Sequence, residues 1–324
     1  MVRAFTLLLA APAFAAPMTP LQARLDALAA AAPGRLGVAI LDLDSGARAA
    51  VRGREPAPMA SVFKLPTAVA VMHRAGERGI PLSTRLHVGW EDRAPSWSPL
   101  AERMPAAGLD LTLDELLEAM VADSDNTAAD VLLRWMGGPE PVSAVLRKLG
   151  LGGIRVDRSE RELAYASAGL SPPPSPESLQ ALLARVRSVP AARRLEALRR
   201  FSSDPRDQAS PEALVDLLAA LDSGRLLDAG HTARLLEIMR ASRTGPRRLR
   251  AGLPADVVLG DKTGTGPSQG GLSVAVNDVG IVTGGGRRLA IAVLLKDAHA
   301  SVERCEDVVA EVARVAWGAG SAPR

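Results

Sequence analysis

The sequence predicts an α+β fold, with an antiparallel sheet formed from both chain ends, flanking helices and an inserted all-helical subdomain. Two observations carry this reading. Strand-like runs lie before Ser61 and after Arg250, while the long middle shows helical periodicity. Hydrophobic content is 47% with aromatics at 3%, enough for a substantial core that must be built mainly from Ala, Leu and Val.

The segment Met1–Ala16 has Arg3, an apolar run and then Ala13-Phe14-Ala15, the pattern of a secretory signal peptide cleaved after Ala15. No cysteine sits there to carry a lipid anchor, and no later apolar run reaches the roughly 18 residues of a membrane span. Thr19-Pro20 then opens a helix to Ala32, with threonine at the cap and proline in the first turn. Strands at Gly37–Leu43 and Ala47–Arg52 flank Asp44-Ser45-Gly46 as a hairpin. A helical pattern runs from Ser61 to about His73. Further helices are expected over Thr112–Met120, Thr127–Trp135, Pro141–Leu149, Pro211–Leu221 and Ala229–Arg240. Strands return at Val257–Asp261, Leu272–Thr283 and Arg287–Lys296, the last two joined across Gly284-Gly285-Gly286, and a helix over Ser301–Trp317 closes the pattern. Cys305, the single cysteine, excludes an intrachain disulfide and reads as a buried small hydrophobe.

Composition also narrows function. The net charge of +3 is spread over dispersed arginines with acids between them and no interleaved aromatics, which argues against a nucleic-acid groove. His73, His87, His231 and His299 are isolated, so no metal or other cofactor is expected. Only four of the 39 basic residues are lysines, Lys64, Lys148, Lys262 and Lys296. Arginine does not give up its proton, whereas lysine can. A lysine three residues after Ser61 therefore marks Ser61 as a candidate nucleophile and Lys64 as the group that moves its proton.

In Ser61-Val62-Phe63-Lys64 the two side chains share one helix face, and Ser61 is expected at the helix N-terminus, where free amides favour developing negative charge. Ser124-Asp125-Asn126 offers a hydroxyl and an amide to a substrate; read alone, it is a helix cap. Lys262-Thr263-Gly264-Thr265 offers a standing positive charge, hydroxyls for a carboxylate and a glycine that allows close approach; read alone, it is a strand end.

Taken together, these three motifs resemble the class A serine β-lactamases. The similarity extends to Pro58-Met59-Ala60-Ser61, to Thr127-Ala128-Ala129, to the stretch from Arg248-Leu249-Arg250 through Gly260-Asp261-Lys262, and to Asn277-Asp278. Arg158-Ser159-Glu160-Arg161-Glu162-Leu163 resembles the start of that family's Ω-loop, and Arg206-Asp207 its end. The resemblance implies hydrolysis of β-lactams through a serine acyl-enzyme. Its catalytic residues are Ser61, Lys64, Ser124 and Glu160, with an oxyanion hole from the backbone N–H groups of Ser61 and Thr265. It assigns Trp97, Asn126, Arg248, Lys262, Thr263 and Thr265 to the substrate, and an Arg158–Asp207 salt bridge to the loop neck. Whether Lys64, or Glu160 through a water, activates Ser61 is left open.

It further implies residues 1–15 as signal and 16–324 as one domain. The α/β part is about 19–57 and 250–324, the helical part about 61–245, and an Ω-loop insertion about 164–204. The product is expected to be an exported monomer, periplasmic or secreted, without membrane anchor, nucleic-acid partner or cofactor, whose partners are small β-lactams. Arg161 and Ala164 depart from the family's proline and asparagine, which puts the speed of deacylation in question.

The larger departure lies between Glu160 and Asp207. After Ser171-Pro172-Pro173-Pro174 comes a helical stretch from Ser175 with Leu179, Leu182, Leu183 and Val186 on one face, then an arginine-rich one over Ala191–Arg200. This inserted hairpin is either a wall or lid of the active site or a surface decoration. Rival readings are a D-Ala-D-Ala carboxypeptidase or transpeptidase, a penicillin-binding module that barely turns over, and an esterase built on Gly266-Pro267-Ser268-Gln269-Gly270. Glu160, bracketed by Arg158 and Asp207, argues against the first, whereas Ala164 leaves room for the second. The esterase motif needs a strand before it and a helix after it, but here a strand follows.

Overall fold

In the computed structural model, residues 19–173 and 177–319 are described. The proposed signal segment and the expected helix start at Ser175 lie outside them.

Helix α1 (Thr19–Ala31) leads into strand β1 (Arg35–Asp42), which turns through a tight loop into β2 (Arg48–Val51). A two-residue strand β3 (Ala57–Pro58) precedes a 3₁₀ turn, Ala60–Phe63, that runs into α2 (Lys64–Glu77). Next come β4 (Arg85–Val88), the short α3 (Pro99–Glu102), β5 (Leu109–Thr112), α4 (Leu113–Ala122), α5 (Asn126–Met136), α6 (Pro139–Lys148) and α7 (Glu160–Ser167). The hairpin expected after residue 171 consists of α8 (Leu179–Ser188) and α9 (Ala191–Ser203). Then follow β6 (Gln208–Ala209), α10 (Pro211–Asp222), α11 (Ala229–Arg240), β7 (Val258–Thr265), β8 (Ser268–Gln269), β9 (Leu272–Gly284), β10 (Arg287–Ala298) and α12 (Val302–Gly318).

The main sheet runs β2-β1-β10-β9-β7, with β8 paired to β9, and every pairing is antiparallel. The first strands of the chain thus pair directly with the last, Val38 opposite Val293 and Ile40 opposite Ile291. Alternation along β1 sorts its side chains to two cores. Leu36, Val38 and Ile40 pack with α1 and α12, including Leu25, Val309 and the buried Cys305. Ala39 and Leu41 face the other way, onto the layer containing α2, α4, α5, α10 and α11. Because both faces are covered, the strands read as near-continuous apolar runs.

Some boundaries differ from the sequence expectation, and each difference has a local cause. Strand β1 starts at Arg35 because the register with β10 extends to Lys296. Strand β7 runs on to Thr265 because Gly264 and Thr265 pair with Asn277 and Val276, so the lysine motif lies inside the sheet. Ser61 lies not in the first turn of α2 but in the preceding 3₁₀ turn. The small pairs β3–β6 and β4–β5 had no periodic signature to reveal them. Helix α7 was also missed as a helix, though Ser159 and Glu162 form a reciprocal capping box at its start.

Candidate active site

The sheet edge at β7, the 3₁₀ turn before α2, the α4–α5 junction and helix α7 meet around one cleft of about 650 Å³. Ser61, Trp97, Ser124, Asn126, Glu160, Arg248, Thr263 and Thr265 all line it, and Lys64 and Lys262 are fully buried beneath. These ten positions, far apart in sequence, are brought together.

The 3₁₀ turn that carries Ser61 is clamped to the sheet. Asn277 on β9 donates through Nδ2 to Pro58 O at 2.8 Å and Met59 O at 3.0 Å. On β7, a Cβ at Gly264 would lie 2.5 Å from Met59 O, so only glycine lets the strand come this close. Ala60 holds φ at +46°, an uncommon conformation for alanine, immediately before Ser61.

Lys64 Nζ lies 3.3 Å from Ser61 Oγ and donates to Ser124 O at 2.7 Å and to Asn126 Oδ1. It also lies 3.1 Å from Glu160 Oε1, which joins the serine to the carboxylate through a single amine. Asn126 donates onward to Ser96 Oγ. The residues of Ser124-Asp125-Asn126 divide by position. Asp125 caps α5, accepting from Ala128 N at 2.9 Å and Leu100 N at 2.7 Å, while Ser124 and Asn126 face the cleft.

Lys262 Nζ donates to Ser124 Oγ and to Thr263 O, both at 2.9 Å. Its expected standing charge is weakened, because burial, and then the nearby charge of Lys64, push the ammonium down to about 7. Behind it, burial raises both Asp261 and Asp278, Asp278 well above the usual carboxylate range with Asp261 as the second cause. Arg248 Nη2 donates to Thr265 Oγ1 at 2.6 Å, and its Nη1 and Nε are held by Gly264 O, Asn277 O and Glu306. Thr263 Oγ1 shares a 2.6 Å hydrogen bond with Thr244 Oγ1. The edge of this cleft therefore concentrates cationic and hydroxyl groups suited to a carboxylate.

Glu160 opens α7. Its N–H donates to Asp130 Oδ1 at 2.7 Å, and that of Arg161 to Asp130 Oδ2 at 3.2 Å. Burial, and then the charge of Glu160, push the Asp130 carboxyl up to about 7. At the loop neck Arg158 Nε donates to Asp207 Oδ2 at 2.5 Å, and Asp207 Oδ1 accepts from the N–H groups of Asp157 and Arg158. Both side chains of this pair are nearly inaccessible, so it is a buried tether rather than a surface pair. Arg161 sends its guanidinium to the carbonyls of Glu91, Arg93 and Glu177, tying α7 to two neighbouring segments. Trp97 stands at the rim, 59% exposed, its Nε1 donating to Asp123 O at 2.8 Å.

Asp130, Thr244, Ser96 and Phe201 complete the surroundings and were not singled out from sequence. Among them only Phe201 carried a visible signal, as a rare aromatic at the end of an arginine-rich helix. The stretch Gly266–Gly270 leads through β8 into β9 rather than a helix, so it is no nucleophile elbow.

The profile of the Beta-lactamase enzyme family matches residues 20–319. A carbapenem-hydrolyzing β-lactamase KPC from Klebsiella oxytoca is 32% identical over 87% of this chain and 83% of its own. The β-lactamase L2 of Stenotrophomonas maltophilia is also 32% identical, over 90% of this chain and 82% of its own. Among solved structures, a β-lactamase from Chitinophaga pinensis superposes with a TM-score of 0.77 at 31% identity, covering 93% of this chain and all of that one. An ancestral (GNCA) class A β-lactamase superposes with 0.75 at 35% identity, covering 92% of this chain and 99% of that one.

Proposed function

This chain belongs to the class A serine β-lactamase family and is a hydrolase of β-lactams, and from that premise we propose that it works through a Ser61 acyl-enzyme that a Glu160-activated water hydrolyses. The contact that carries the mechanism is Lys64 Nζ, 3.3 Å from Ser61 Oγ and 3.1 Å from Glu160 Oε1.

In acylation Ser61 Oγ bonds to the lactam carbonyl carbon while its proton passes to Lys64, which touches both Ser61 and Glu160, and on to Glu160, or to solvent where Glu160 is replaced. The oxyanion that forms is received by the N–H groups of Ser61 and Thr265, where one such donor is worth about 3 kcal/mol in related acyl transfer. As the C–N bond breaks, Ser124 Oγ gives its proton to the nitrogen and regains one from Lys262, 2.9 Å away. An ammonium held near 7 is matched to that transfer at neutral pH. Glu160 and Lys262 then re-equilibrate with solvent. In deacylation Glu160 takes a proton from water, whose oxygen attacks the ester carbonyl, and as the C–O bond to Ser61 breaks a proton returns through Lys64 to Ser61 Oγ.

Asn126 holds the substrate's side-chain amide, Trp97 covers it, and Thr263, Thr265 and Arg248 bind its carboxylate. Glu160 is what separates this reading from a transpeptidase, which has no such base for water. Ala164, lining the cleft beside Glu160, brings no amide to the hydrolytic water, so Glu160 and its own hydrogen bonds must position it. Export to the periplasm or medium is supported by the pattern of Met1–Ala16, and no helix among the described residues is long and apolar enough to cross a membrane.

Mass spectrometry of Glu160→Ala with benzylpenicillin tests the mechanism. The variant should accumulate a covalent adduct at Ser61 that the wild type does not. Steady turnover by the variant, or a stable adduct on the wild type, would refute the role of Glu160.

A further inference from the structure

Resting on that reading of Ser61 and Glu160, we propose that Phe201, on the inserted helix α9, is a specificity-determining wall of the active site that selects β-lactams carrying an apolar or aromatic side chain.

The hairpin α8–α9 is fastened at every stage of its path. At its start, the Tyr165 hydroxyl donates to the Glu177 carboxylate, Arg185 donates to the same oxygen at 2.9 Å, and Arg161 donates to Glu177 O at 3.1 Å. At the beginning of α9, Gln269 on β8 donates to Ala191 O at 3.0 Å and accepts from Arg194 Nε at 3.2 Å. Leu195 packs onto the β8–β9 turn, where Gly270 takes φ +60° and a Cβ would come within 3.3 Å of Leu195 Cδ2. At the end of α9, Ser202 Oγ donates to Asp297 Oδ1 at 2.5 Å, and Asp204 pairs with Arg158 and Arg206. A helix held at both ends and along its underside is a wall rather than a lid.

That wall has an apolar face on the cleft. Leu198 is buried against Leu272, Val274 and Ala275 of β9, and Leu195, Phe201 and Ala60 pack onto the same cluster. Ala60 is the residue before the nucleophile, so the cluster reaches Ser61 itself. Phe201, Val274, Ala275 and Ala60 all line the cleft, and the Phe201 ring sits 5.0 Å from the guanidinium of Arg158, which is buried and paired with Asp207. A ring held by a cation and by aliphatic neighbours presents a fixed apolar surface to an incoming apolar group. Leu163 and Ala164 continue the surface across the cleft from α7. The guanidiniums that line this side are already committed, Arg158 to Asp204 and Asp207 and Arg206 to Asp204, so neither is free to pair with a polar side chain.

The test is the ratio of kcat/KM for benzylpenicillin, which carries an aromatic side chain, to that for 6-aminopenicillanic acid, which has none. The fraction of correctly folded enzyme cancels in this ratio. Phe201→Ala should lower it about tenfold, the scale of lost apolar contact in a specificity pocket. Phe201→Leu, which keeps the packing of the cluster, should lower it in the same direction by less and covers the case in which the alanine variant fails to fold. A ratio unchanged from wild type in the variants overturns the wall while leaving the hydrolase reading intact. A wild type that cleaves neither compound overturns the hydrolase reading and the wall with it.

Discussion

Gly264→Ala is the sharpest probe of how the sheet sets up the nucleophile. The added Cβ would lie 2.5 Å from Met59 O and 3.1 Å from both Val62 N and Val62 Cγ2. The first of these is about 0.9 Å short of ordinary van der Waals contact, and the obstacle is backbone that no rotamer change can clear. Either β7 or the Ser61 turn must retreat. The turn is held to the sheet by two buried hydrogen bonds from Asn277, and β7 is paired along its length with β9, so the strain is shared between them. Overpacking of this kind costs about 1–3 kcal/mol of stability. A shift approaching 1 Å between Ser61 and the N–H of Thr265 should cost about 100-fold in kcat/KM, because both oxyanion donors move relative to each other. Hydrolysis of a chromogenic cephalosporin and a thermal melt read the two effects. Activity within about threefold of wild type in a protein that melts normally would refute the claim that close approach of β7 sets the site geometry.

Two further predictions concern protons. Lys262, pushed down to about 7 by burial and by Lys64, is charged below that pH, so kcat/KM should fall as pH rises through it; Lys262→Arg, which stays charged but cannot return a proton to Ser124, should lose that limb and run at a lower plateau, and a wild-type profile flat from pH 6 to 9 would sink the argument. The Asp130 carboxyl is raised to about 7 from an unfolded value of about 3.9, so the folded state holds the extra proton between these limits, and its contribution to stability is present below that window and lost as pH rises through it. Asp130→Asn keeps an acceptor for Glu160 N–H but removes the charge, so the urea midpoint should lose much of its slope between pH 4 and 7; an unaltered slope would show that Asp130 titrates normally.

How much of this was legible in the sequence depended on distance along the chain. Ser61 with Lys64, and Ser124 with Asn126, could be read because each pair lies within one turn, where spacing alone fixes neighbourhood. The sheet was legible because strands buried on both faces are long apolar runs, whereas β3, β6 and β8, two residues each, are too short to show any period. Asp130 was invisible for a different reason. On α5 it looks like one more exposed acid, and only the packing of α7 onto that helix brings Glu160 N–H to its carboxylate. The weakening of the Lys262 charge was hidden for the same cause, since its desolvation is a property of the closed core and not of the residue. Phe201 belonged to a hairpin whose existence was readable, but whether it decorates or walls the cleft depended on Gln269 and Asp297, two contacts from elsewhere in the chain.

Ser124-Asp125-Asn126 shows why a structural and a functional reading of one motif need not compete. Asp125 takes the extended conformation of a helix cap, and its carboxylate also accepts from Leu100 N and Ser98 Oγ, so its backbone is fixed from three sides. With that residue locked, Ser124 is left at φ +59°, a left-handed conformation that costs about 1–3 kcal/mol for a residue with a side chain. The strain has a use. It presents the carbonyl of Ser124 to Lys64 at 2.7 Å and its hydroxyl to Lys262 at 2.9 Å, so one residue addresses both lysines from opposite ends. A cap that merely ended a loop would need neither the strain nor the two contacts. Here the cap is the device that aims the hydroxyl, so the proton path proposed from Lys262 to the lactam nitrogen would depend on Asp125, a residue buried outside the cleft lining.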